Sequence, residues 1–155
     1  MSEMVIAEEP ADSDDVRWCF EQYYAELGRR FGYVVDTALP LGLDELVRPR
    51  GLVLIAREAG DPVGCGALKL QQPGVGEIKR MWVADLVRGR GLGGRLLDAL
   101  EAEAVAAGKT VARLETNRTL TAAIAMYRSH GYLEVPPFND EPFGDHWFEK
   151  DLTTS

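Results

Sequence analysis

Apolar residues recur along the chain in two periods, and the switches between them mark out the elements. Val5 to Glu9 is a short run led by apolar residues and reads as a first strand. Trp18, Tyr23 and Leu27 then recur at helical spacing, with Cys19 and Phe20 beside the stripe. The acidic, cap-competent stretch Ala11 to Asp15 precedes them, so the pattern predicts a helix from about Asp14 to Arg30. Phe31 to Arg50 carries Pro40, Gly42 and Pro49 and reads as a loop, with a short helix at Leu43 to Val47. Gly51 to Ala59 and Val63 to Leu70 are apolar strands separated by the turn signal Gly60-Asp61-Pro62, which makes a hairpin the simplest arrangement. A second turn, Pro73 to Gly76, leads into a third strand, Glu77 to Val83.

The period then changes. Leu96, Leu97, Leu100 and Ala104 lie at helical spacing, predicting a helix over Leu92 to Ala107 that Gly108 ends. Thr110 to Glu115 is a strand, Thr119 to His130 a helix closed by Gly131, and Tyr132 to Val135 and His146 to Leu152 are two more strands. The order is mixed α/β, a meander followed by strand–helix–strand–helix–strand–strand. No repeat or linker interrupts it, so residues 1–155 are expected to form one domain.

Composition narrows the class. The chain has 155 residues, 46% hydrophobic and 27% charged, as in an ordinary water-soluble domain. No run approaches a membrane span, and MSEMVIAEEP lacks the basic and apolar regions of a signal peptide, so a cytoplasmic protein is expected and no membrane partner. A net charge of −8 argues against nucleic acid as a partner. Cys19 and Cys65 sit among apolar residues and read as buried thiols. His130 and His146 are isolated and the carboxylates lack ligand spacing, so no metal is expected.

The chemistry concentrates in VRGRGLGGRLL, Val87 to Leu97, where four glycines and three arginines lie around the start of the leucine-rich helix. Gly89-x-Gly91-x-x-Gly94 matches the dinucleotide fingerprint, and Glu115 stands roughly where a ribose-binding carboxylate would. Against that reading, Ala84 to Arg88 intervenes between strand and glycines, the stretch follows a meander, and too few residues remain after Glu115 for a second half-sheet. Arg88-x-x-Gly91-x-Gly93 supports the alternative, a coenzyme A loop. N–H groups at a helix start bind any phosphate ester, and arginines there oppose the helix dipole unless an anion binds.

Glu77 to Ala104 closely resembles the central motif of the GNAT acetyltransferase superfamily, and LETN (Leu114 to Asn117) with AIAMYRSHGY (Ala123 to Tyr132) resembles its next block. The resemblance covers about Gly51 to Leu152. It implies a GNAT-like mixed sheet of the α/β (α+β) class, with about seven strands, a splayed central pair and four helices. It implies acetyl-CoA as cosubstrate, without a metal, and an amine-bearing acceptor, either a small molecule or a peptide or protein. A homodimer is an open option, since many members of the family are dimers.

By that resemblance the backbone of Met81, Trp82 and Val83 would pair with the pantetheine arm, and Arg88, Gly89, Arg90, Gly91, Leu92, Gly93 and Gly94 would hold the diphosphate. Asn117 would mark where the next strand splays to admit the thioester, and Ala123 belongs to the second motif. Tyr127 would be the general acid for the departing thiolate, and Glu77 the general base. Presenting a lysine-like amine in its neutral form at pH 7 costs about 4.6 kcal/mol, so a carboxylate base is useful. Glu77 is the best-placed candidate, with Glu115 behind it. An ion pair with Lys79 or Arg80 would be the structural role of Glu77. Tyr23, Tyr24, Phe31, Tyr33, Trp82, Phe138, Asn139, Phe143 and Trp147 fall where the family binds its acceptor, although most are expected in packing roles. The sequence thus predicts an N-acetyltransferase. A non-catalytic acyl-CoA-binding module is the alternative, and the joint presence of Tyr127 and Glu77 argues for the enzyme.

Overall fold

The computed structural model of the protein describes residues 3–31, 42–140 and 144–153. Its elements are β1 (Met4–Glu9), α1 (Asp14–Phe31), β2 (Gly51–Glu58), β3 (Asp61–Lys69), β4 (Val75–Val83), α2 (Leu92–Ala106), β5 (Val111–Thr116), α3 (Thr121–Ser129), β6 (Leu133–Val135) and β7 (His146–Asp151). The seven strands form one sheet in the order β1-β2-β3-β4-β5-β7-β6.

The local reasons are those the sequence offered, with small shifts. The Ser13 hydroxyl accepts from the Val16 N–H at 3.1 Å and starts α1, with Asp14 and Asp15 in its first turn. β2 and β3 are joined by the two residues Ala59 and Gly60, both left-handed, so β3 begins at Asp61, ahead of the expected Val63. Among the described residues there are three α-helices. The fourth expected helix, Leu43 to Val47, is a 3-10 turn over Leu43–Leu46, and Val47 leaves it extended. Arg48 precedes Pro49, and a residue before proline disfavours helical backbone, so the turn cannot lengthen.

The two faces of the sheet bury separate cores. On one, Leu92, Leu96, Leu97, Leu100 and Ala104 of α2 pack with Leu68, Ile78, Leu114, Tyr127 and Phe148. On the other, Val16, Cys19 and Phe20 of α1 pack on Val53, Ile55, Cys65, Ala67 and Trp82. Both cysteines are buried there as free thiols, as expected. Each fully buried leucine contributes about 1.5–3 kcal/mol, which makes α2 the main anchor of its face.

One irregularity positions the site. Among the described residues β4 and β5 are the only parallel neighbours, and their register covers just Val75↔Val111, Gly76↔Ala112 and Glu77↔Arg113. Both strands run on, to Val83 and Thr116, so they part in mid-sheet as the sequence reading anticipated. A bulge bends β4 on its other edge: Cys65 pairs with Trp82 and Ala67 with Lys79, leaving Gly66 opposite both Arg80 and Met81. Arg80 takes φ 53°, a conformation that costs a non-glycine residue roughly 1–2 kcal/mol. A single short parallel pair is not a doubly wound sheet, and the dinucleotide reading of the glycines falls with it.

Candidate functional site

A cavity of about 660 Å³ opens where β4 and β5 part. It takes lining residues from both cores: Ile78, Leu92, Leu114 and Tyr127 from one, Trp82 and Tyr23 from the other. The gap therefore joins the α2–α3 face of the sheet to the α1 face.

At one end lies the glycine loop. Val83 hands over to Ala84, whose N–H bonds the Val63 carbonyl at 2.9 Å, and the buried Val87 pins the short 3-10 turn Asp85–Val87. The chain then passes Gly89 to Gly91, which caps α2 with φ 78° and ψ 10°. That left-handed conformation is why glycine is needed at Gly91. No side chain caps the first turn of α2, and no acidic residue stands in it. Its first N–H groups thus lack a side-chain cap at the positive end of the helix dipole, and Gly91 to Gly94 line the cavity. A side chain at Gly93 would meet Met126 Sδ of α3 at 2.9 Å, so the first turn of α2 packs closely against α3 there. This donor cradle fits a diphosphate, and a long narrow arm fits the gap beyond it.

The arginines behave differently from one another. Arg88 lines the cavity, with its Nε on the Val83 carbonyl at 3.2 Å and its guanidinium shared between Glu26 and Asp85. Arg95 also lines it and donates to the Met4 carbonyl at 3.0 Å. Arg90 is not in the lining; it turns to Glu58 on the β2–β3 hairpin. Met81, Trp82, Val83, Gly89, Gly91, Leu92, Gly93, Gly94, Asn117 and Ala123 all line the cavity. The Asn117 side chain also accepts from the Thr119 N–H and hydroxyl, at 3.0 and 2.9 Å, which holds the turn into α3.

The reactive groups meet at the other end. Tyr127 of α3 is 6% exposed, lines the cavity and points its hydroxyl at Met81 Sδ, 3.9 Å away. Burial, with the charge of Glu115 adding to it, pushes this phenol well above its ordinary range and keeps it protonated. Tyr23 of α1 lines the cavity from the opposite face, and desolvation likewise raises its hydroxyl. Lys79 joins two carboxylates: its Nζ lies 2.9 Å from Glu77 and in short contact with Glu115. Burial by itself would lower the Lys79 ammonium, but Glu115 and then Glu77 outweigh that and raise it. Lys79 and Glu115 line the cavity, whereas Glu77 is not in the lining. Arg80 bonds the Tyr24 hydroxyl through Nε at 2.9 Å and lies over the Phe20 ring.

Of the aromatics expected around an acceptor, Tyr23 and Trp82 reach the cavity. Tyr24 is committed to Arg80, and Trp147 donates to Asn139 at 2.8 Å. Tyr33 and Phe143 lie outside the described residues. The sequence reading treated Lys79 only as an incidental partner of Glu77. The available signal was the alternation of charged with apolar residues on these strands, with Glu77 and Lys79 on one and Arg113 and Glu115 on the other, each pair two residues apart.

Comparison with known proteins follows the same lines. The model of the acetyltransferase (GNAT) family matches residues 12–132. An IAA acetyltransferase of Azospirillum brasilense is 38% identical over 147 residues, 93% of this chain and 92% of that protein. A solved structure from Klebsiella pneumoniae, assigned as an acyl-CoA N-acyltransferase, is 30% identical, with a TM-score of 0.80 over 96% of this chain and 97% of that one. A GNAT family acetyltransferase from Elizabethkingia anophelis, solved with acetyl-CoA bound, shares the fold at 15% identity, with a TM-score of 0.69 over 96% of this chain and 97% of that one.

Proposed function

The chain belongs to the acetyltransferase (GNAT) family, and from that premise we propose that it transfers an acetyl group from acetyl-CoA directly to a primary amine of a small molecule or peptide. One observation carries the reading. A single cavity runs through the parted strands, with uncapped helix N–H donors at one end and Tyr127, Lys79 and Glu115 at the other.

The residues divide the work accordingly. The N–H groups from Gly91 to Gly94 hold the diphosphate, supported by Arg88, while the backbone of Met81 to Val83 faces the arm that leads to the thioester. The dipole of α2 contributes about 0.3–1 kcal/mol per phosphate charge near the surface. Acetyl-CoA supplies the activated acyl group. The amine nitrogen bonds to the acyl carbon and the C–S bond breaks. Tyr127 gives its hydroxyl proton to the leaving sulfur and regains one from the nitrogen.

Removal of the other amine proton falls to the carboxylates tied to Lys79. Glu77 stands at the strand position the family resemblance marks for a base, and Glu115 reaches the cavity itself.

The direct test is thiol release from acetyl-CoA across a broad panel of primary amines and peptides. Amine-dependent release is expected; background release alone, while CoA still binds, would replace the enzyme reading with that of an acyl-CoA-binding module.

A further inference from the structure

We propose that Glu115 is the carboxylate that takes the amine proton, and that Lys79, braced from the far side by Glu77, is the positioning residue that aims it and holds its negative charge. The proposal rests on the acetyltransferase reading above.

The strand register places these groups. The last backbone pair between β4 and β5 is Glu77↔Arg113. Two residues further along each strand, on the same face, stand Lys79 and Glu115. They form the first same-face rung after the backbone ladder ends, and their side-chain ion pair spans the gap at the point where the strands begin to diverge. Glu77 belongs to the last backbone-paired rung, so it reaches Lys79 but not the cavity. The three side chains are only 10–18% exposed, with Glu115 the most buried. One cation between two carboxylates leaves the cluster with a formal charge of −1, which suits an incoming ammonium.

The neighbouring charges do not take over the role. From β3 and the 3-10 turn, Lys69 pairs with Glu45 at 2.7 Å, and from β5 and β7, Arg113 pairs with Glu149 at 2.7 Å. Arg80 is bonded to the Tyr24 hydroxyl on α1. Tyr23 and Tyr127 reach the site as protonated phenols. Lys79, in direct contact with Glu115, stabilises its ionised form, and Glu77 opposes that effect slightly by sharing the same cation.

The protons balance. Glu115 takes one proton from the acceptor's ammonium and returns it to solvent once product leaves. The second nitrogen proton replaces the one that Tyr127 gives to sulfur.

The experiment compares pH profiles of kcat/KM for the wild type and E115Q, E77Q, K79M and K79R, with acetyl-CoA and an amine from the screen. E115Q should lose the acid limb and about 100-fold in kcat. K79M should move that limb up by about one pH unit, with KM for acetyl-CoA little changed, and K79R should restore it. E77Q should keep the limb and move it to lower pH, because Glu115 then no longer shares the cation with the Glu77 carboxylate. Loss of the limb in E77Q with its retention in E115Q would overturn the proposal and make Glu77 the base; an unmoved limb in K79M would also overturn it. Should K79M not fold, the direction of the E77Q displacement decides. A carbon-13 titration of the Glu115 carboxyl in the unliganded protein reads the same displacements without turnover. Failure of the wild type to acetylate any amine would therefore count against the acetyltransferase reading, and leave this one to the titration.

Discussion

The two ends of the cavity are built by opposite means. The end proposed to hold the phosphates is one continuous stretch, Val87 to Leu97, and would work through backbone N–H groups at the start of α2. The end proposed to meet the amine is assembled from α1, β4, β5 and α3 and would work through the side chains of Tyr23, Lys79, Glu115 and Tyr127. Backbone donors need only a local conformation, so glycines at fixed spacing suffice. A charge cluster needs strands brought into register from distant parts of the chain. The first is written as a motif, and the second has no contiguous signature.

If the two ends are separable, substitutions at the amine end should lower kcat and those at the phosphate end should weaken binding. The largest effect is expected for Y127F, about 100-fold or more in kcat with CoA affinity unchanged, compared by steady-state rates and calorimetry. An unchanged rate would remove Tyr127 from the acid role. G91V comes next. A β-branched residue forced to φ 78° costs roughly 1–2 kcal/mol, so CoA should bind about tenfold more weakly and the melting temperature should drop, while saturating kcat changes far less. A loss confined to kcat would break the division between the ends.

R88Q should weaken CoA binding by about threefold, because this rim guanidinium is already shared with Glu26 and Asp85. R90Q should do least, under about twofold, because Arg90 turns to Glu58 and away from the cavity. Titrations of both variants with CoA give the order, and a larger loss for R90Q would show that the loop rearranges around the ligand.

Much of this molecule was legible in its residues. The two periods marked every strand to within a few positions, and Ser13, Gly108 and Gly131 lie where α1 begins and where α2 and α3 give out. The Arg88-x-x-Gly91-x-Gly93 spacing pointed to the uncapped turn that starts α2. The points not legible in the residues are those that depend on distance through space. Arg90 looks equivalent to Arg88 in sequence, yet the left-handed glycines on either side of it turn it to another partner. Glu77 and Glu115 look like unrelated strand carboxylates, yet one lysine binds them both.

Residue order was enough to fix the elements, their succession and the glycine turn that starts α2, because each depends on interactions within a few residues: helical spacing, capping and the backbone freedom of glycine. Only the tertiary structure decided where β4 and β5 part. That point is set by a bulge at Arg80 and a ladder that stops at Glu77 and Arg113, and it puts Lys79 and Glu115 across the gap from each other. Electrostatic partnership depends on distances of a few ångströms between strands more than thirty residues apart in the chain, and that proximity exists only once the sheet has formed.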